Sequence, residues 1–161
     1  PDEQTKEPYI IPVDVSASNV ENGIKLKDIY SSLTEFPSHS VTLFVDACFS
    51  GGARNQELVT ARGVKVVPKY DLLKGNIVSF SASSGNQSSY AYNSKNHGMF
   101  TYFLLKSIQE ANGDITYGDM WEKVRNKVSF ESVKINSKEQ NPQKNVGVEV
   151  EKEWSKWKFK Q

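Results

Sequence analysis

The residues with the most chemical promise lie together in VTLFVDACFSGG, residues 41–52. This stretch holds the chain's one cysteine, Cys48, two positions after Asp46 and just before Ser50-Gly51-Gly52. A cysteine nucleophile needs exposure at a cleft, a base to take its proton, and donors for the oxyanion that forms on attack. The end of a strand supplies the exposure. The glycines let the backbone bend sharply, and the Cys48 N–H is a candidate oxyanion donor. The base is expected to be a histidine close in space though not in sequence. A carboxylate beside the thiol would raise its pKa and disfavour the thiolate. Asp46 is therefore expected to face another partner, and a cationic substrate side chain would satisfy it. The plainer alternatives are a lone cysteine acting as a small buried hydrophobe and a strand-end aspartate capping a turn.

Several elements must position these groups. VTLFV (41–45) is a continuous apolar run, the signature of a strand covered on both faces. NIVSFSAS (76–83) reads as the next strand, and YIIPVDV (9–15) as a strand end leading into a loop. In IKLKDIYSSLTEF (24–36), Ile24, Leu26, Ile29, Leu33 and Phe36 recur near helical spacing, and Pro37 stops the helix. MFTYFLLKSIQEA (99–111) reads as an apolar helix ended by Asn112-Gly113. Thr116 caps a further helix over 117–128, with Asp119 completing an approximate capping box. NVGVEV (145–150) is a candidate last strand, and the tail EKEWSKWKFKQ either packs on the body or lies loose.

Two long loops are expected, 50–75 and 84–98, and loops of this length in a compact domain are usually functional or disordered. Helices alternating with buried strands argue for an α/β domain with a mainly parallel sheet. Such sheets bind ligands at the carboxyl ends of their strands. Cys48 and both loops belong there.

The bulk numbers exclude more than they assign. The 161 residues allow one domain with a real core. A hydrophobic share of 37% with 24% charged residues reads as soluble and globular. Twenty Lys plus Arg against 19 Asp plus Glu leave a net charge of +1, which gives no reason to expect nucleic acid or an anionic membrane as partner. No run approaches ~18 apolar residues, so no membrane-spanning helix is expected. One cysteine excludes an internal disulfide, Cys-cluster zinc sites and CxxC redox chemistry, and leaves the compartment open.

With these residues in view, VTLFVDACFSGG resembles the nucleophile segment of caspase-like cysteine peptidases, the metacaspase and bacterial caspase-domain branch of clan CD. The order of further segments strengthens the resemblance. EPYIIPVD (7–14) is similar to the segment after the family's catalytic His-Gly, IVSFSASSGNQSSY (77–90) to its substrate-loop strand, HGMFTYFLLKSI (97–108) and ITYGDMWEKV (115–124) to its next helices, and NPQ (141–143) to its domain end.

The resemblance implies a caspase-like three-layer sandwich, its mainly parallel sheet flanked by helices and incomplete at the N-terminus. It implies a peptidase domain over 1–143 and a C-terminal extension over 144–161. Cys48 would attack a peptide carbonyl and form an acyl-enzyme, with a histidine as proton shuttle. Asp46 matches the acid at the floor of the P1 pocket, which selects Arg or Lys in metacaspases. Ser81, Ala82 and Ser83 match the strand that pairs with substrate backbone, and Gln87 and Ser88 sit in the loop over the pocket.

Two departures are visible. The family's histidine precedes the segment matching 7–14, so it is expected upstream of Pro1, either on an N-terminal fragment cleaved from the same precursor or on sequence that directly precedes the given start. The chain alone is then not a self-sufficient folded unit. Within the chain, His39 lies at the wrong end of the nucleophile strand, and His97 is the weaker candidate base. The second departure is Tyr90-Ala91, which stands where many metacaspases carry a second acid.

The 50–75 loop offers Arg54, Arg62, Lys65, Lys69 and Lys74 to an acidic pocket, with TARG (60–63) foremost, so it is expected to be either a self-processing site or simply a solvated basic loop. Calcium activates some metacaspases, but Asp2, Glu3, Glu7 and Asp14 show no ligand spacing, so no metal or cofactor is expected. The rival readings are a catalytically inactive scaffold of the same fold, a phosphate site at Ser50-Gly51-Gly52 (weakened by the lack of a Walker lysine) and a redox-sensor thiol.

Overall fold

The computed structural model describes residues 5–12, 14–15, 19–47, 72–85 and 87–160. Cys48, Ser50-Gly51-Gly52, Arg54, TARG with Arg62, Lys65 and Lys69 lie outside the described residues, as do Asp2 and Glu3.

In chain order the described elements are β1 (Tyr9–Ile10), β2 (Ile24–Lys25), α1 (Leu26–Thr34), β3 (Val41–Val45) and β4 (Ile77–Ser81). Then follow β5 (Ala91–Tyr92), β6 (His97–Gly98), α2 (Met99–Glu110), α3 (Tyr117–Asn136) and β7 (Gln143–Val146). The chain is α/β, and its central sheet has the order β3-β4-β7. β3 runs parallel to β4, from Val41↔Ile77 to Val45↔Ser81. β7 runs antiparallel to β4, from Val78↔Val146 to Ser81↔Gln143. Among the described residues the sheet is therefore mixed, one pair of each kind.

Alternation along β4 divides its side chains between two faces. Val78 and Phe80 join the larger core with Met99, Phe100, Met120, Trp121, Val124 and Val128 of α2 and α3. On the other face, Leu43 and Val45 of β3 pack with Leu26, Ile29 and Tyr30 of α1. The Tyr30 hydroxyl donates to Ser79 Oγ at 3.0 Å and so reaches the middle of β4. Burial pushes the Tyr30 pKa up, and the bond to Ser79 partly offsets this.

β3 is less covered than its apolar run implies. Only Val45 is buried and the other four residues are half-buried. Among the described residues β3 pairs with β4 alone, so it forms the sheet's outer strand. Similarly, α1 begins two residues later than its spacing predicts, because Ile24 and Lys25 pair with β1. The expected 84–98 loop contains a small hairpin, β5–β6, whose turn includes Asn96 at φ 55°.

Local signals set the helix ends. Asn112 and Gly113 both take positive φ after α2, and the Gly113 N–H donates to Ile108 O at 2.9 Å. Thr116 Oγ1 accepts from the Asp119 N–H at 3.1 Å, the N-cap the sequence predicts, and the Thr116 hydroxyl donates to Asp119 Oδ2 at 2.6 Å in place of the capping box's return bond to the Thr116 backbone N–H. α3 continues to Asn136, well past Val128. The exposed Phe130, Val133 and Ile135 break the apolar stripe without breaking the helix.

The tail packs on the body. Trp154 is buried edge-on to Phe80 at 6.0 Å, and Phe159 stacks on Tyr117 at 4.5 Å. The Tyr117 N–H donates to Trp157 O at 2.8 Å. Sheet pairing ends at Val146 rather than continuing to 150, because Gly147 leads into the tight turn Val148–Val150. The boundary expected at 143/144 falls within β7, and the rest of β7 and the tail share one core with the preceding residues.

Candidate functional site

Parallel pairing brings the carboxyl ends of β3 and β4 to the same edge of the sheet. The Ala82 N–H donates to Val45 O at 2.9 Å and carries the ladder one residue past β4. Asp46-Ala47 and the 82–90 segment thus leave the sheet side by side.

Asp46 is half-buried and joins three pieces of chain. The Thr101 hydroxyl donates to Asp46 Oδ2 at 2.6 Å and the Thr101 N–H to the same oxygen at 3.3 Å. The buried Ser89 hydroxyl donates to Oδ1. Thr101 is the third residue of α2, whose first N–H groups have no partner within the helix, and the residue before the helix, Gly98, offers no side-chain cap. Asp46 serves as that cap from a neighbouring strand, where a negative charge also suits the helix dipole. These three donors, from Ser89 and Thr101, orient the carboxylate.

The 82–90 segment is folded on itself and tied to the turn after α3. The Ser83 hydroxyl donates to Gln87 O at 3.2 Å, and the Gln87 N–H to Ser84 O at 2.9 Å. Gln87 Oε1 accepts from the Asn141 N–H at 2.7 Å, and its amide nitrogen reaches Glu139 Oε2 at 3.4 Å. The fully buried Gln140 spans the segment: its Nε2 donates to Ala82 O at 3.0 Å and its Oε1 accepts from the Tyr90 N–H at 2.9 Å.

The structure therefore brings Asp46, Ser81, Ala82 and Ser83 to one edge. The Ala82 N–H is engaged by Val45 O, and the Ala82 carbonyl accepts from Gln140 Nε2. The Gln87 amide faces the 139–141 turn. Ser88 is half-buried within the segment.

His97 is exposed on β6 opposite Tyr92. It lines an open groove with Asn93, Asn96 and Thr101, and Thr101 is the residue that holds Asp46. His39 is exposed ahead of β3, at the strand's far end, and Lys74 is exposed ahead of β4, also away from Asp46. Glu7 pairs with Lys25 at 3.2 Å and with Lys27, and the Lys27 bond holds its carboxyl below the usual range. Among the described residues, no group of three or more His, Cys, Asp or Glu side chains is placed to hold a metal ion. No helix of the described residues is long and apolar enough to cross a membrane.

Sequence reasoning missed Ser89, Thr101, Ser132 and Gln140. The one available signal was the Thr three residues after Gly98, a position where helix-start N–H groups seek acceptors.

Comparison with known protein families gives a match to the model of the caspase domain over residues 2–148, nearly the whole chain. No curated protein matches the chain.

Proposed function

The chain belongs to the caspase-domain family of cysteine peptidases, and from that premise we propose that it is an endopeptidase with Cys48 as nucleophile and Arg or Lys preferred at P1, as in the metacaspase branch. The carrying observation is the Asp46 carboxylate, oriented by Ser89 and Thr101 at the carboxyl edge of the sheet, two residues before Cys48. A guanidinium or ammonium group suits an oriented carboxylate at a pocket floor.

In the proposed reaction the Cys48 thiolate adds to the scissile carbonyl, and backbone N–H groups, including that of Cys48, stabilise the oxyanion. The tetrahedral intermediate collapses with release of the amine, which takes its proton from a histidine. Water then hydrolyses the thioester and regenerates the thiol. The histidine is proposed to come from an N-terminal fragment of the same precursor, and His97 is the candidate within this chain. Ser81 and Ser88 are proposed to line the substrate site with Asp46, and Ser83, buried with its hydroxyl donating to Gln87 O, to support it from behind. Ala82 and Gln87 would contribute by holding its wall, since their polar groups are internally engaged.

The complete domain is proposed to have the family's three-layer arrangement around a mainly parallel sheet, with a further strand along the outer edge of β3. Cleavage in the 50–75 loop by the same site is proposed as a processing step, with Arg54, Arg62, Lys65, Lys69 or Lys74 at P1. No metal or cofactor is proposed.

The test is labelling of the full-length protein by a peptidyl electrophile carrying Arg at P1. Modification of Cys48, faster than by the analogue with Asp at P1, is expected. Absence of labelling by either probe refutes the proposal and leaves the inactive scaffold. For processing, identical fragments from the wild type and Cys48→Ala would exclude self-cleavage.

A further inference from the structure

Gln140 has no role in the chemistry proposed above, yet it is among the most completely buried polar side chains described. Its amide orientation is fixed by its partners: a carbonyl oxygen only accepts and a backbone N–H only donates. Nε2 must therefore face Ala82 O and Oε1 the Tyr90 N–H. These two groups stand at the neck of the 82–90 segment, so one side chain closes the loop.

Gln140 is itself held in place. Its N–H donates to Ser132 Oγ at 3.0 Å, and Ser132 Oγ donates in turn to Ser129 O at 3.1 Å on α3. A second tie, Asn141 N–H to Gln87 Oε1, fixes the loop's middle to the same turn. Ser89, the residue before Tyr90, then delivers its hydroxyl to Asp46. A continuous path of hydrogen bonds and one peptide link runs from α3 through Gln140 and Tyr90-Ser89 to the carboxylate.

We propose that Gln140 is a positioning residue for the P1 acid: by closing the neck of the 82–90 loop it sets where Ser89 holds the Asp46 carboxylate, and so sets selectivity for a basic P1 side chain. This deepens the peptidase reading and rests on it. Glutamate at 140 accepts from Tyr90 but sets a carboxylate oxygen against Ala82 O. Leucine fills the space and makes neither bond. An unmade buried bond is costly and small displacements at a site are expensive, so either change loosens the neck.

The full-length protein is compared with Gln140→Glu, Gln140→Leu and Ser89→Ala on two peptides that differ only in Arg or norleucine at P1. In each variant the Arg-to-norleucine ratio of kcat/KM is expected to fall about tenfold, the equivalent of one hydrogen bond, mainly through KM for the Arg peptide. A role in folding alone would lower both rates together and leave the ratio unchanged, which overturns the proposal. Amide hydrogen exchange supplies a reading independent of catalysis. Exchange over 83–90 is expected to quicken about tenfold in Gln140→Glu, while that of 120–128 stays at the wild-type rate. If the wild type cleaves neither peptide, the peptidase reading fails and the exchange arm alone judges the neck. Unaltered exchange at 83–90 defeats the inference whatever the peptides show. Should both Gln140 variants fail to fold, the ratio in Ser89→Ala decides.

Discussion

Replacing Asp46 separates what this carboxylate does for the fold from what it is proposed to do for a substrate. Asp46→Ala removes the acceptor of the Ser89 hydroxyl, the Thr101 hydroxyl and the Thr101 N–H at once. A hydrogen bond to a charged group contributes about 1.5–3 kcal/mol, and a buried donor left unmade costs about 1–3 kcal/mol. Ser89 is fully buried and cannot turn to water. The two Thr101 groups are half-buried at a helix start and recover part of theirs by hydration. The expected loss is about 2–4 kcal/mol, and for a chain of this size that lowers Tm by roughly 4–16 °C.

Asp46→Asn is the control. Its amide keeps one accepting oxygen, and serine and threonine hydroxyls can rotate to accept from the new NH2. It gives up charge assistance and the favourable placement at the α2 N-terminus, about 1 kcal/mol together. Equilibrium unfolding in urea orders the variants as wild type, Asn, Ala. An Ala variant within about 0.5 kcal/mol of wild type, the ordinary spread of surface substitutions, would show that the acid does not tie β3, the 82–90 loop and α2 together. The electrophile with Arg at P1 reads the other role: Asn, nearly as stable as wild type, should lose labelling nearly as fully as Ala.

Other consequences are more local. Trp154→Ala should cost about 3–5 kcal/mol by denaturant unfolding, because Trp154 is buried against Phe80; a cost below about 1 kcal/mol would mean that the tail is not part of the core. Gly147→Ala should destabilise by at least about 1–3 kcal/mol, since its Cβ would meet the Gly75 carbonyl oxygen. The φ of Gly147 is an ordinary −59°, so that cost is steric, and an unchanged Tm would contradict the close approach. Lys158 pairs with Asp114 at 2.9 Å, which holds the Asp114 carboxyl below its usual range and the Lys158 ammonium above its own. The tether's contribution is therefore fully present between the unfolded values, about 3.9 and about 10.4. It is lost as pH falls through the depressed carboxyl pKa or rises through the raised ammonium pKa, and the pair's exposure keeps it small. Tryptophan fluorescence followed against pH should show the acid limb flattened in Asp114→Asn; an unaltered limb would assign it to other groups.

The sequence was most legible where side-chain periodicity and burial coincide. β4 and α2 lie where their apolar patterns put them, and Thr116 with Asp119 forms the predicted cap. It was least legible where partners are distant in the chain. An apolar run such as VTLFV states a preference for burial but not which neighbours exist, so the coverage of β3 was overstated. The two-residue strands β5 and β6 leave no periodicity in a polar stretch. α3 outlasts its apolar stripe because nothing in 129–136 stops a helix, whereas the αL residue Ser137 does. Gln140 was invisible for a simpler reason. One amide in a polar turn has no pattern, and its importance comes from two backbone groups more than 49 residues away.

That distance bears on how the site is built. The sheet register aligns Asp46 with the 82–90 segment only to the coarseness of a strand repeat, about 3.3 Å. Recognition of a charged group needs placement to about 0.5 Å. The finer adjustment comes from side chains that bond backbone: Gln140 to Ala82 and Tyr90, Asp46 to Thr101, Gln87 to Asn141. Apolar packing cannot supply it, because dispersion is non-directional and tolerates repacking of similar volumes. Substitutions in the Phe80–Trp121–Val128 core should therefore change stability while leaving P1 selectivity alone, provided the fold holds. Substitutions at Gln140 or Ser89 should change selectivity as well as stability. A core variant such as Val128→Ala that shifted the Arg-to-norleucine ratio as strongly as Gln140→Glu would break this division, and with it the claim that hydrogen bonds rather than packing set the position of Asp46.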